Sequence, residues 1–262
     1  MPSSILGSTV LAVCAALTLA VPVRAEELFL ADSTGAISSG DPILGGFVQL
    51  GSCSAPVVAL ATDGEDLFLA DAAGEIHHYD HILGTITPRF SAGNDVRSLR
   101  VFEGDLLAGG GNGTIRRLDK QSGALVGVYS PGVPVDAMVE AGTAFYVASS
   151  QGVVLRADLA HSQFQTVATV PSAIHSMAAD TTHLYLAAPT GQVWRIERAT
   201  GTIAGGFLVP SDAVGLEAQG GDLLVAGSNA WVLRVHAETG VLAASLQAPG
   251  PVTVQATCCN GH

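Results

Sequence analysis

Three residues of chemical interest recur at one phase of a regular pattern. Arg97, Asp136 and His175 stand 39 residues apart, while Val58, Val214 and Thr253 hold the same phase elsewhere. A carboxylate beside an imidazole can orient it as a general base, and a guanidinium nearby can hold an anionic group. The alternative is a salt-bridged cluster that plugs a channel. No serine or cysteine nucleophile stands at a fixed spacing to support hydrolysis.

Two further sets of residues could bind metal. Asp32, Asp71, Asp95 and Asp212, with Asn94, fall on the same expected face, and several oxygen ligands around a pore suit Ca²⁺. Asp32 and Asp71 directly follow strands, where Asp commonly bonds turn amides, and no spaced DxDxDG motif is present. The tail, Cys258-Cys259-Asn260-Gly261-His262, brings two thiols and an imidazole, donors for copper or zinc. The competing reading is a disulfide, most simply to Cys53, although Cys53 and Cys258 are expected on opposite faces. The stretch HHYDH contains His77, His78 and His81. Adjacent strand residues point to opposite faces, so His77 and His78 suit packing and hydrogen bonding better than a shared metal.

The elements that must position these groups come from a repeat. LFLADSTGAI from Leu28 returns as LFLADAAGEI from Leu67, LLAGGGNGTI from Leu106 and FYVASSQGVV from Phe145. LYLAAPTGQV from Leu184 and LLVAGSNAWV from Leu223 complete the series at a constant interval of 39. Each unit reads as four short strands with turn signals every 8–12 residues. In the unit around Leu106 the strands are expected near 96–102, 106–109, 114–118 and 124–129. Helical repeats of similar period fail, because the glycine-rich turns fall where helices would have to continue. A parallel β-solenoid is the other β alternative. Four strands per unit of about 40 residues predict an all-β, six-bladed β-propeller. The first unit lacks its first strand, and Val252–Ala256 supplies one at the C-terminal end. The ring is therefore expected to close by this strand completing the N-terminal blade.

Arg117, Arg156, Arg195 and Arg234 recur two residues before an acid or His236. Once-per-repeat arginines read as structural, bonding carbonyls or turn acids between sheets.

Residues 1–25 read as a signal peptide, with an apolar run from Ile5 to Val21 and cleavage expected after Ala25, although the leading segment has no Lys or Arg. A membrane anchor is the alternative, weakened by the short run and by Pro22. The propeller is then 26–262, secreted or periplasmic, with no stable membrane span after cleavage. The net charge of −12 opposes phosphate backbones, so nucleic acid is not an expected partner.

LYLAAPTGQVWRIERATG (Leu184–Gly201) and LLAGGGNGTIRRLDKQSG (Leu106–Gly123) resemble repeats of the quinoprotein-like and WD40-like β-propeller superfamily. The chain lacks the WD dipeptide and the tryptophan that quinoprotein repeats carry after the Thr/Ser-Gly turn. Six blades also differ from the eight of quinoprotein alcohol dehydrogenases. The resemblance therefore implies a fold and no catalytic residue. The expected function is a binding scaffold, a monomer presenting loops to a protein or carbohydrate partner, with no cofactor assigned. The alternative is a channel-mouth hydrolase, lactonase or lyase on Asp136 and His175, with or without a metal. A quinone-cofactor oxidoreductase is a third reading.

Overall fold

The computed structural model describes residues 27–41, 45–64, 66–93, 95–210 and 212–258, so residues 1–25, Asn94, Cys259 and His262 lie outside it. Among the described residues, twenty-four strands form six four-stranded antiparallel sheets. Blade 1 combines β1 (Glu27–Asp32), β2 (Ala36–Asp41) and β3 (Gly45–Ser52) with the last strand of the chain. Blade 2 has β4 (Val57–Thr62), β5 (Leu67–Asp71), β6 (Glu75–Asp80) and β7 (Thr85–Ser91). Blade 3 has β8 (Val96–Phe102), β9 (Asp105–Gly110), β10 (Ile115–Asp119) and β11 (Leu125–Tyr129). Blade 4 has β12 (Ala137–Ala141), β13 (Ala144–Ala148), β14 (Val153–Asp158) and β15 (Gln163–Thr169). Blade 5 has β16 (Ser176–Ala179), β17 (His183–Ala187), β18 (Gln192–Glu197) and β19 (Ile203–Leu208). Blade 6 has β20 (Ala213–Gln219), β21 (Asp222–Gly227), β22 (Trp231–His236) and β23 (Leu242–Gln247), and β24 (Val252–Cys258) returns to blade 1.

The innermost strands close a ring: β4 packs on β8, β8 on β12, β12 on β16, β16 on β20, β20 on β24 and β24 on β4. This is a six-bladed propeller, sealed as the repeat arithmetic predicts. β24 pairs antiparallel with β1, from Glu27↔Cys258 to Asp32↔Val252.

Burial explains the strand patterns. The second strand of each blade lies between two neighbouring blades, so both its faces are covered. β5 and β13 are buried at every position, and their sequences LFLAD and AFYVA do not alternate. The fourth strands form the outer edge and are largely exposed, as in β7 and β19. The core is divided into six clusters, each spanning two adjacent blades. Its most regular member is one phase of the third strand, nine residues after each second-strand repeat begins. Ile37, Ile76, Ile115, Val154, Val193 and Val232 are all 0 % exposed. Each fills the gap between two sheets, at about 1.5–3 kcal/mol of burial free energy apiece.

The phase that carries Arg97 has a backbone cause. The pairing register shifts between Val57 and Ala59, Val96 and Ser98, and Ala213 and Gly215, and again opposite Ala31/Asp32. Val58, Arg97, Val214 and Thr253 are the extra residues of these bulges, and a bulge re-aims the side chain it carries. Asp136 and His175 hold the same phase just before β12 and β16, where their amides donate to the carbonyls of Ala148 and Ala187. All six side chains are thereby turned toward the axis.

Candidate functional site

Val58, Arg97, Asp136, His175, Val214 and Thr253 line one central cavity of about 250 Å³. Arg97 lies across its mouth, 44 % exposed, and donates from Nη1 to Asp136 Oδ1 at 2.9 Å and from Nε to Asp95 Oδ1 at 3.2 Å. The Asp136 bond is the main reason the guanidinium's pKa is raised. Gly111 makes this pose possible, since a Cβ there would come within 2.2 Å of Arg97 Cζ. Asp136 is 11 % exposed, and its second oxygen accepts the Ser150 amide at 2.6 Å. His175 is exposed on the same lining, and among the described residues no hydrogen bond joins it to Asp136. The arrangement is an ion-paired lining with an imidazole standing apart. The carboxylate that would orient a general base is already committed on both oxygens.

The four acids proposed for calcium serve other partners. Asp32 Oδ1 accepts the amides of Thr34 and Ala36 and the Thr34 hydroxyl. Asp71 Oδ1 accepts the amides of Ala73 and Glu75. Asp95 holds Arg97 from a backbone with φ 71°, and Asp212 accepts the Ser228 hydroxyl at 3.2 Å. Among the described residues, the metal-capable side chains that converge are instead Asp71, Glu75 and His77. His77 and His78 do face opposite ways. His77 meets Asp71, while His78 meets Asp66 at 2.7 Å and Arg89 at 3.1 Å and lies tilted against the Phe68 ring. Cys53 is a buried free thiol whose pKa is pushed up to about 11 by burial and then by the Asp71 charge. It precedes β4, whereas Cys258 ends β24 opposite Glu27.

The recurrent arginines have a partner rule visible in the numbering. Arg117 bonds Asp105 at 2.6 Å, Arg234 bonds Asp222 at 2.7 Å, and His78 takes Asp66, each twelve residues back. Arg195 donates instead to the carbonyls of Glu238 and Ala204. In blade 4 the residue twelve back from Arg156 is Ala144. Arg156 is exposed, and its side chain has no hydrogen bond or ion pair among the described residues. It opens into a groove of about 860 Å³ between blades 3 and 4, shared with Phe102, Arg117, Tyr129 and Phe164. Beside the groove runs β11, the outer edge of blade 3, with Leu125, Val126 and Val128 exposed. Sequence reading passed over this site by treating the arginines as equivalent. The missing acid at Ala144 was the available signal.

The ring of six blades and its channel define a six-bladed β-propeller. The family model for the outer membrane protein assembly factor BamB matches residues 130–204, which cover blade 4 and most of blade 5. No curated protein sequence matches. Among solved structures, a chain of a nidogen/laminin complex superposes with a TM-score of 0.80 at 10% identity, covering 90% of this chain and 100% of that one. The WD40 propeller domain of Doa1 gives a TM-score of 0.67 at 15% identity, covering 88% and 82%. The computationally designed Ika8 protein gives 0.58 at 15% identity, covering 87% and 76%. These likenesses show the fold. No helix among the described residues is long and apolar enough to cross a membrane.

Proposed function

We propose that the protein is an exported, non-catalytic scaffold that binds a protein partner along the groove between blades 3 and 4. The observation that carries this reading is Arg156, a repeat arginine without its acid, facing an aromatic-walled groove. A carboxylate on the partner would fill the place that Asp105 fills for Arg117 in the neighbouring blade. The open edge of β11 offers an extended segment both backbone hydrogen bonds and apolar contacts. The exposed aliphatic side chains of that edge, Leu125, Val126 and Val128, would pack against a polypeptide paired there. The partial match to a family named for outer membrane assembly fits export to the cell envelope. The channel-mouth enzyme reading has weaker support, since both oxygens of Asp136 are engaged by Arg97 and Ser150.

A photo-crosslinking residue at Gln165 in the groove, with Gln247 on the outer strand β23 of blade 6 as control, tests the proposal in cells. The expected result is a dominant protein adduct at Gln165, absent at Gln247 and lost when Arg156→Glu is added. Equal adducts at both positions, or an adduct indifferent to Arg156→Glu, would overturn it.

A further inference from the structure

The β5–β6 hairpin of blade 2 carries a set of three groups that no other blade repeats together, since blade 1 keeps the aspartate as Asp32 but has Ala36 and Ser38 at the other two places. Asp71 ends β5, and Glu75 and His77 stand two apart on β6, so the pleat puts the latter two on one face. His77 Nε2 is 3.0 Å from Asp71 Oδ2, and the ligand atoms of all three residues lie within 4.8 Å of one another. Asp71 and His77 are 3% and 5% exposed, while Glu75 reaches solvent. The positions equivalent to His77 are Ser38, Arg116, Leu155, Trp194 and Leu233. The fold therefore does not require ionisable groups at this place between two blades.

The local charge is one-sided. Among the described residues, neither Asp71 nor Glu75 forms an ion pair with a Lys or Arg. Cys53 lies close enough to Asp71 to feel its charge and is 7% exposed. Its thiol makes no hydrogen bond among the described residues. Two carboxylates thus converge on a single imidazole, an arrangement that a cation would complete.

We propose that Asp71, Glu75 and His77 bind a first-row divalent cation of the zinc type. One imidazole nitrogen and two carboxylate oxygens form a donor set for such an ion, with solvent entering past Glu75 to complete its coordination. The ion would take the Nε2 lone pair and an Asp71 oxygen, and the ring proton would reside on Nδ1. It would tie the inner hairpin of blade 2 at the face packed against blade 1, the blade that closes the ring.

The tail must be silenced before this is tested, because Cys258, Cys259 and His262 are donors too. The full chain carrying Cys258→Ser, Cys259→Ser and His262→Ala is titrated calorimetrically with Zn²⁺ and followed by Co²⁺ absorption. One equivalent is expected, together with a rise in melting temperature on adding Zn²⁺. Glu75→Gln, at an exposed position, should weaken binding by roughly tenfold or more and shrink the thermal shift accordingly. Absence of saturable binding once the tail donors are gone would overturn the proposal. So would binding that Glu75→Gln leaves unchanged.

Discussion

Single residues show where this chain departs from its own rule. At the position of Leu60, Leu99, Met138, Met177 and Leu216, blade 1 carries Gln255. It is 8% exposed, its amide donates to the Leu224 carbonyl at 3.0 Å, and its Oε1 has no partner. Gly215 makes room for it, since a Cβ there would come within 2.4 Å of Gln255 Cγ. A buried acceptor without a partner costs about 1–3 kcal/mol. Gln255→Met should therefore raise stability, by about 1 kcal/mol in urea unfolding, and a loss of that size would show that the amide is needed. Asp180 gives a pH signature. Burial alone would raise its pKa, but the Tyr185 hydroxyl and the amides of His183 and Thr182 hold it below 3.8. A carboxylate depressed in the folded state contributes stability above its unfolded pKa and loses it as the pH falls through the folded value. The melting-temperature difference between wild type and Asp180→Asn should thus be full at neutral pH and shrink as the pH falls below about 4. A difference independent of pH would mean that packing, not charge, sets it.

Elements were more legible than sites. The strands expected at 96–102, 106–109, 114–118 and 124–129 are found at Val96–Phe102, Asp105–Gly110, Ile115–Asp119 and Leu125–Tyr129. Glycines and acids mark each turn, so the boundaries follow from local chemistry. Asp80 accepts the amides of Ile82 and Leu83, and Asp119 those of Gln121 and Ser122. The bulges were not legible, because an extra residue in a strand leaves no mark in residue type. Only the 39-residue phase placed Arg97, Asp136 and His175 together, and phase cannot tell which oxygen of Asp136 bonds which donor. The β13–β14 hairpin shows how tightly the turns are set. Gly152 has φ +81°, and a Cβ there would come within 2.1 Å of the Val170 carbonyl oxygen in the loop to the next blade. Gly152→Ala should lower stability by about 2 kcal/mol or more, a melting-temperature drop of roughly 4–8 °C in differential scanning calorimetry. A variant that melts within a degree or so of wild type would show that the loop yields freely.

For the whole molecule, the decisive feature is a seam inside one blade. β24 lies between β1 and the inner strands β4 and β20, so removing it exposes the faces of blades 2 and 6 at once. Truncation after Gly250 should lower the melting temperature of the entire domain in one cooperative step, read by circular dichroism. A truncated chain that melts like the parent would contradict closure by this strand. The repeat interval alone was enough to foresee the seam, because it left the first unit one strand short and the last residues one strand over.

That seam also fixes the timetable of assembly. The Thr253 hydroxyl bonds the Ala31 carbonyl, two residues 222 positions apart. During synthesis, β1 emerges with its inner partner still unmade, and five blades precede the strand that completes the first. Contacts of such sequence separation form slowly, because the chain entropy of bringing them together must be overcome first. Until β24 is made, β1 has only β2 beside it in its sheet. Reordering the gene so that β24 is made first, immediately ahead of β1, would keep the same fold and remove the delay.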